Sequence, residues 1–259
     1  MSTPATDREL LEGIIPIART AGKVIMDVYA TDFAVRGKSD ASPVTEADEK
    51  AEALILEGLA RLAPDIPVVA EEAVAAGRIP DTGRRFWLVD PLDGTKEFIS
   101  RNGEFTVNIA LIEDGEPRLG VVFAPALGQL FAGIRDDGAF REDASGRSPI
   151  AVRAVPAEGL TVVASRSHGD PAALEAFLAG RKVASLRNAG SSLKICLVAA
   201  GEADLYPRLG RTMEWDIAAA HAVLAAAGGA LTETTGTPLR YGKPEFANPH
   251  FVARGSAAP

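Results

Sequence analysis

The beginning of the chain carries apolar side chains at helical spacing. Between residues 10 and 28 they recur three or four positions apart, which is the pattern of one face of an amphipathic helix. A second apolar stripe between residues 54 and 62 predicts another helix, which ends before Pro64. We interpret both stripes as core-packing faces.

Short apolar runs then replace the helical pattern. They predict strands over residues 66–70, 86–89, 105–112, 119–123 and 129–134. Turn sequences at 113–116 and 135–138 predict that the later strands pair as an antiparallel meander. The segments 73–84 and 141–149 are polar or rich in Gly and Pro, and we expect loops there.

The second half of the chain alternates between the two patterns. Strands are predicted over 160–164, 183–186 and 203–206, and helices over 170–178, 190–200 and 215–227. Such alternation favours an α/β arrangement with at least some parallel strand pairing. The expected fold class is therefore α+β / α/β, with an antiparallel N-terminal half (1–150) and a mixed or parallel C-terminal half (151–259), divided between residues 145 and 157.

Composition narrows the possible functions. The formal net charge of −8 argues against a protein that binds nucleic acid through a broad basic face. The single cysteine, Cys196, excludes an intramolecular disulfide and fits a reducing compartment. The N-terminus lacks the apolar core of a signal peptide, and no run reaches the roughly 18 apolar residues of a transmembrane helix. We expect a soluble cytoplasmic protein; peripheral association with the inner membrane face is left open.

The most informative stretch follows the predicted strand 86–89. Asp90 and Asp93 come directly after it, with Pro91 expected to stop the strand and Thr95 to start a helix. Two carboxylates, the carbonyl of Leu92 and a helix N-terminus then converge, which suits Mg²⁺ and a phosphate group. The alternative is a solvated Asp-rich turn.

Three remote carboxylates occupy similar positions at the ends of elements. Glu71 follows the predicted strand 66–70, whereas Asp48 and Asp216 lie near the starts of helices. Taken alone, Asp48 is explained by a favourable charge at a helix dipole, and a glutamate pair such as Glu71 and Glu72 by a solvated strand edge. Together with Asp90 and Asp93 they favour a convergent metal site.

These motifs resemble a known family. The sequence Asp90-Pro-Leu-Asp-Gly-Thr95, preceded by Glu71-Glu72 and followed by Trp215-Asp216, is similar to the inositol monophosphatase superfamily of Mg²⁺-dependent, lithium-sensitive phosphatases. The likeness runs in order from Val44 to Gly229. It implies a layered α-β-α-β-α sandwich and two or three bound Mg²⁺ ions. The family often forms dimers, and a homodimer is left open.

Finer features indicate a branch of the family. The segments 95–98, 102–110 and 190–194 resemble the bacterial 3'(2'),5'-bisphosphate nucleotidases. The resemblance implies hydrolysis of 3'-phosphoadenosine 5'-phosphate to AMP and phosphate, which clears a by-product of sulfate activation. The alternatives are an inositol-1-phosphatase, fructose bisphosphatase or histidinol-phosphatase, and a non-catalytic metal- or phosphate-binding protein on the same scaffold.

The resemblance also implies roles for individual residues. The implied metal ligands are Glu71, Asp90, Asp93, Asp216 and the carbonyl of Leu92. The implied catalytic residues are Thr95, its acid partner Asp48, and Glu71. The implied substrate-binding residues are Glu71, Leu92, Asp93, Gly94, Thr95, Ser191, Lys194 and Asp216. Looser substrate candidates are His168, Arg208 and Glu214; Glu72 is structural or supporting, and Met213 and Trp215 are expected in the core rather than on an adenine ring.

Overall fold

A computed structural model describes residues 5–37, 43–165 and 170–255. Its α-helices are α1 (Asp7–Tyr29), α2 (Glu46–Leu62), α3 (Glu71–Ala75), α4 (Thr95–Ile99), α5 (Pro171–Leu178), α6 (Leu193–Ala199) and α7 (Glu214–Ala226). Its strands are β1 (Arg36–Gly37), β2 (Pro43–Val44), β3 (Val68–Ala70), β4 (Arg85–Asp93), β5 (Thr106–Glu113), β6 (Glu116–Ala124), β7 (Gln129–Ile134), β8 (Gly138–Asp143), β9 (Gly146–Ile150), β10 (Leu160–Ser165), β11 (Val183–Ala189), β12 (Leu205–Arg208), β13 (Ala230–Glu233) and β14 (Phe251–Arg254). A 3₁₀ turn spans Pro125–Leu127.

The first large sheet contains seven strands in the order β3-β4-β5-β6-β7-β8-β9. Strands β3 and β4 pair in parallel, and every later pair is antiparallel. Successive side chains point to opposite faces of a strand. In β4, Trp87 and Val89 therefore pack towards α1 and α2, whereas Phe86 and Leu88 pack towards the interior helices. The antiparallel meander is confirmed.

The second large sheet contains five strands in the order β11-β10-β12-β14-β13. Strand β10 pairs in parallel with both β11 and β12, and β14 pairs antiparallel with β12 and β13. The expected mixed sheet in the C-terminal half is thus confirmed. A separate two-stranded pairing joins β1 and β2.

The elements stack in five layers. Helices α1 and α2 cover one face of the first sheet, and one apolar cluster lies between them. Helices α6 and α7 fill the space between the two sheets within a second cluster. Phe177 and Leu178 of α5 pack on the outer face of the second sheet. This α-β-α-β-α order is the layered sandwich that the sequence predicted.

Several local expectations are wrong. Residues 141–149 form most of the β8–β9 hairpin, because a surface hairpin with polar side chains has a loop-like composition. The expected loop 73–84 begins within α3. Strands β13 and β14 were not predicted, since each has only four residues and pairs with a partner distant in the chain.

The two halves meet without a separate core for each. Strand β9 ends at Ile150 and β10 begins at Leu160, yet one apolar cluster contains residues of both sheets and of α7. The division into two domains at residue 150 stays a prediction. In the ranges that the structure describes, no helix is both long and apolar enough to cross a membrane.

Candidate active site

The acid-rich motif lies at a bulge in β4. Asp90 pairs with Asn108 and Asp93 with Thr106, so three steps along β4 match two steps along β5. An extra residue of this kind bends the strand and re-aims its side chains. Pro91 therefore does not stop the strand, which continues to Asp93, because the bulge accommodates a residue that has no N–H. Gly94 follows with φ 92°, a left-handed conformation that suits glycine, and α4 begins at Thr95.

Thr95 and Asp48 are brought together from different elements. The Thr95 hydroxyl lies 3.4 Å from Asp48 Oδ1 and 3.4 Å from the carbonyl oxygen of Leu92. The other oxygen of Asp48, Oδ2, accepts hydrogen bonds of 2.8 Å from both the N–H and the hydroxyl of Thr45. Asp48 thus both caps α2 and faces the Thr95 hydroxyl, which accounts for its 2% exposure.

A cavity of about 440 Å³ opens next to this motif. Four carboxylates line it: Glu71 from the start of α3, Asp93 from the end of β4, Glu97 from α4 and Asp216 from the first turn of α7. Ser192 N–H donates to Asp93 Oδ2 at 2.6 Å, and Met213 N–H donates to Asp216 Oδ2 at 2.8 Å. Residues far apart in the sequence therefore meet where the two sheets face each other.

The carboxylates lack full charge compensation. Burial raises the pKa of Asp93 to about 6, although Lys194 and the Ser192 N–H act in the opposite direction. Burial, followed by the charges of Asp93 and Glu71, raises the pKa of Asp216 well above its ordinary value. A cation among these groups would remove this cost.

Two buried cations share the cavity with the carboxylates, in addition to the exposed Lys96 and Arg211. Lys194 on α6 is 6% exposed and Arg208 on β12 is 9% exposed. Burial lowers the pKa of Lys194 to about 8, against the opposing effect of Asp93. The Lys194 ammonium lies 5.5 Å from the ring centre of Tyr206, and Arg208 Nη2 donates to the carbonyl of Arg211 at 2.9 Å. Buried cations of this kind suit an anionic ligand.

The donor set fits Mg²⁺ without forming a closed cage. Across residues 5–37, 43–165 and 170–255, no three His, Cys, Asp or Glu side chains are grouped so that they could hold a metal ion by themselves. The cavity nevertheless supplies hard carboxylate oxygens whose mutual repulsion a divalent cation would relieve. Mg²⁺ usually keeps several water ligands and uses few protein groups, so an open set of this kind suits it.

Two other predicted ligands, Asp90 and Leu92, lie in the acid-rich motif but are not among the residues that line the cavity. Asp90 is 1% exposed and its Oδ1 accepts from the N–H of Leu92 at 3.0 Å, while the Leu92 carbonyl faces Thr95. Ser191 lines the cavity, as do Gly94 and Met213. His168 lies outside the described residues.

Glu214 is placed differently from a substrate-contacting group. It is fully buried, and its carboxylate binds the Lys243 ammonium at 2.6 Å and the N–H groups of Gly242 and Lys243 at 2.7 and 3.0 Å. It is absent from the cavity lining. Trp215 packs against Phe246, as expected for a core residue.

Several residues of the site were not predicted from the sequence. Glu97 is 5% exposed and lines the cavity. Glu52 is buried and accepts from the Glu72 N–H at 2.7 Å, which holds the start of α3 against α2. Glu104 Oε2 accepts from the Gly190 N–H at 2.8 Å. A signal existed only for Asn108, a polar residue within the apolar run of β5.

Comparison with known proteins identifies relatives over nearly the whole chain. The sequence profile of the Inositol monophosphatase family matches residues 6–257. The 3'(2'),5'-bisphosphate nucleotidase CysQ of Escherichia coli strain K12 is 48% identical over 245 residues, which cover 93% of this chain and 98% of that protein. The protein of the same name from Buchnera aphidicola is 42% identical over 251 residues, covering 95% and 94%.

Solved structures agree. The crystal structure of CysQ from Bacteroides thetaiotaomicron, a bacterial member of the inositol monophosphatase family, superposes with a TM-score of 0.82 at 35% identity, covering 97% of this chain and 99% of that one. The Thermotoga maritima IMPase gives a TM-score of 0.79 at 27% identity, covering 96% and 92%. The chain therefore belongs to the inositol monophosphatase family.

Proposed function

We propose that the protein is a Mg²⁺-dependent phosphatase that removes the 3'-phosphate of 3'-phosphoadenosine 5'-phosphate to give AMP and phosphate. The observation that carries the proposal is the similarity to 3'(2'),5'-bisphosphate nucleotidases over more than nine-tenths of the chain. The cavity supports it, because four carboxylates lie together with two buried cations. A substrate with two phosphate groups needs both a cation-binding acidic wall and fixed positive charge.

We assign the divalent cations to Glu71, Asp90, Asp93, Asp216 and the Leu92 carbonyl. Bound Mg²⁺ would supply positive charge for the phosphate and increase the acidity of a water molecule. Thr95 is assigned to orient the attacking water, because its hydroxyl faces Asp48 Oδ1 at 3.4 Å. Asp48 would accept the proton that the Thr95 hydroxyl passes on, while Thr45 holds the carboxylate in place.

The substrate's two phosphates are assigned to different walls. The scissile 3'-phosphate lies against the backbone N–H groups of Gly94 and Thr95, at the left-handed turn before α4. The 5'-phosphate pairs with Lys194 and Arg208, and Ser191 adds a hydroxyl donor. Because Lys194 and Arg208 would neutralise a second phosphate away from the reacting one, the site should favour a bisphosphate over a sugar monophosphate.

A substrate panel tests the proposal. Turnover of 3'-phosphoadenosine 5'-phosphate, inositol 1-phosphate and fructose 1,6-bisphosphate is measured by phosphate release with and without Mg²⁺. We expect the nucleotide to have the highest kcat/KM and all turnover to require the cation. A preference for inositol 1-phosphate or fructose 1,6-bisphosphate would contradict the substrate assignment.

Inositol-1-phosphatase activity is the second candidate, and the fold alone does not separate it from the first. The position of Glu214 favours the nucleotidase, since a fully buried carboxylate bound to Lys243 is not presented to a polyol hydroxyl.

The metal assignment has its own test. Asp93→Asn keeps the size of the side chain and an oxygen for the Ser192 N–H, but it removes the charge. We expect turnover to be lost while circular dichroism and the urea midpoint stay close to those of the unsubstituted protein. Full activity in Asp93→Asn would count against the metal mechanism, and also against the proposed role of this carboxylate.

Cytoplasmic location, homodimer formation and peripheral membrane association stay predictions.

A further inference from the structure

The inner face of β5 carries polar side chains where an apolar face is expected. Thr106 and Asn108 are both fully buried, and they point to the same side as Ala110 and Ile112, which belong to the inner apolar cluster. In the ladder with β4 they stand opposite Asp93 and Asp90. Buried polar groups are costly unless they are hydrogen-bonded, so their partners show what they do.

Their partners come from the other half of the chain. Ser192, 3% exposed at the start of α6, donates its hydroxyl hydrogen to Asn108 Oδ1 at 2.8 Å. The Thr106 hydroxyl lies 2.9 Å from Ser192 Oγ and 3.3 Å from Ser191 Oγ. Asn108 Nδ2 donates to the backbone carbonyl of Asp216 at 3.4 Å. We call Thr106, Asn108, Ser191 and Ser192 the buried polar seam.

The direction of these hydrogen bonds follows from chemistry. A backbone carbonyl can only accept, so the Asn108 atom facing the Asp216 carbonyl must be the nitrogen. Asn108 Oδ1 is then the acceptor for the Ser192 hydroxyl, whose single hydrogen is used there. Consequently the Thr106 hydroxyl donates to Ser192 Oγ at 2.9 Å, and the longer 3.3 Å bond to Ser191 Oγ shares the same hydrogen. The reversed amide would place two acceptors face to face, and this fixes the orientation of Asn108.

The buried polar seam connects to two cavity carboxylates, Asp93 from the N-terminal half of the chain and Asp216 from the C-terminal half. The Ser192 hydroxyl accepts a hydrogen bond from Thr106 and donates one to Asn108. The Ser192 backbone N–H donates to Asp93 Oδ2 at 2.6 Å. Asn108 holds the backbone of Asp216, whose carboxylate is oriented by the Met213 N–H at 2.8 Å. One hydrogen-bonded network therefore fixes the placement of Asp93 and of Asp216.

We propose that Asn108, through the buried polar seam, is a positioning residue that sets the placement of the Asp93 and Asp216 carboxylates relative to each other and so the affinity for divalent cation. The inference rests on the proposed function in so far as these carboxylates bind a cation. Asn108 does not line the cavity; it acts by holding Ser192 and the start of α7. Partners that orient metal ligands commonly change metal affinity by 10- to 100-fold when they are removed.

The experiment measures binding of Mn²⁺ alone to the metal-free protein by electron paramagnetic resonance, without substrate. Asn108→Leu removes both bonds at similar size, and Ser192→Ala removes the hydroxyl but keeps the N–H that binds Asp93. We expect the Mn²⁺ Kd to rise about 10-fold in both variants. The KM for the nucleotide at saturating Mn²⁺ should change less than about two-fold, since the buried cations of the cavity are untouched.

A matched pair and a control separate positioning from stability. Thr106→Val removes the hydroxyl and should raise the Kd, whereas Thr106→Ser keeps it and should restore the original Kd. Asp204→Asn disrupts the contact between the buried Asp204 carboxylate and Arg153, next to the second sheet, and should lower stability without changing the Kd. If Asn108→Leu fails to fold, the two Thr106 variants test the positioning role by themselves.

The outcomes are distinguishable. If the unsubstituted protein binds no Mn²⁺, the proposed function is wrong. If it binds Mn²⁺ and the folded Ser192→Ala and Thr106→Val variants bind equally well, the positioning role is overturned and the proposed function stands. An equal loss of affinity in Asp204→Asn would also overturn the role, because the effect would then follow stability alone.

Discussion

At the scale of single residues, one carboxylate both caps a helix and faces the hydroxyl proposed to orient the attacking water. Asp48 completes a capping box with Thr45 through Oδ2 and offers Oδ1 to Thr95. A residue chosen only for capping would not need to be buried, yet Asp48 is 2% exposed. The cap therefore fixes the direction in which the free oxygen points, and this makes the Thr95 hydroxyl the informative position to change.

Replacing Thr95 separates the hydroxyl from the shape of the side chain. Thr95→Val removes the hydroxyl at equal size, and we expect kcat to fall by about 100-fold or more, the usual contribution of positioned proton transfer. Thr95→Ser keeps the hydroxyl and should retain most of the activity. Steady-state kinetics on 3'-phosphoadenosine 5'-phosphate check both. A fully active Thr95→Val variant would exclude the assigned role.

His221 makes stability depend on pH. Its ring is 8% exposed, Nδ1 lies 2.9 Å from the Tyr241 hydroxyl, and burial lowers its pKa to about 3 from 6.5. Between these values the unfolded chain binds a proton that the folded chain does not. As pH falls below about 6.5, His221 therefore lowers the free energy of unfolding by up to ~1.4 kcal/mol per pH unit.

Urea denaturation at several pH values from 7 to 5 isolates this effect. The variant His221→Gln lacks the titrating group, so its free energy of unfolding should fall less steeply with pH than that of the unsubstituted protein. The remaining titrating groups contribute equally to both proteins, so their effect on the pH dependence cancels in the difference. Identical slopes would mean that His221 is not responsible.

At the scale of elements, close backbone approach holds α7 to the first sheet. Gly120 of β6 faces the backbone of Ala219 on α7, and a Cβ built on Gly120 would lie 2.6 Å from the Ala219 carbonyl oxygen. A backbone atom cannot swing away as a side chain can. The contact matters for the site because α7 carries Asp216 in its first turn.

Gly120→Ala should therefore force the helix and the sheet apart. We expect a loss of about 1–3 kcal/mol in the free energy of unfolding, the usual range for overpacking a core. Gly37→Ala is the control, since a Cβ there meets no atom within 4 Å. Urea titrations of both variants give the comparison. A Gly120→Ala variant as stable as the control would show that the layers can separate at little cost.

At the scale of the whole molecule, polar contacts join segments that the sequence keeps apart. Arg153, in the connection between the two sheets, binds both oxygens of Asp204 at 2.8 and 2.9 Å. Asp204 also accepts from the Thr161 N–H at 2.7 Å and is 2% exposed. This group ties the connection to β10 and to the segment that precedes β12.

Breaking this contact should weaken the fold without altering the cavity. Asp204→Asn removes the charge that Arg153 and Thr161 bind, and we expect about 2 kcal/mol of lost stability. The control, Asp114→Asn, removes a charge that Arg84 binds at the surface, where solvent screening leaves ion pairs with little effect on stability. Urea midpoints measure both, and kcat/KM should be unchanged. Equal losses in the two variants would contradict the expected contribution of burial.

The sequence determined the parts of this protein that depend on neighbours along the chain. Apolar periodicity predicted α1 and the meander, because the buried face of each element is encoded in its own residues. A continuous apolar run predicted α7, which is buried on nearly all sides. Carboxylates at element ends pointed to Glu71, Asp93 and Asp216, because a strand or helix terminus delivers its side chain to an edge where other termini meet.

Only the tertiary structure decided the contacts that depend on pairing between distant segments. The bulge that carries β4 past Pro91 is defined by its register with β5. Residues 141–149 of the β8–β9 hairpin have the composition of a loop, and ladder bonds pair them as strands. The apolar contacts of the hairpin come from Ala139, Phe140 and Ile150 at its base. The sequence shows Asn108 only as a polar residue within an apolar run, and its role is visible once β5 is placed against α6 and α7, where its amide joins Ser192 to Asp216. The local sequence determined which chemical groups are present, and long-range packing determined their geometry. Hydrogen-bond partners about a hundred residues apart leave no local pattern, so the sequence alone did not reveal these contacts.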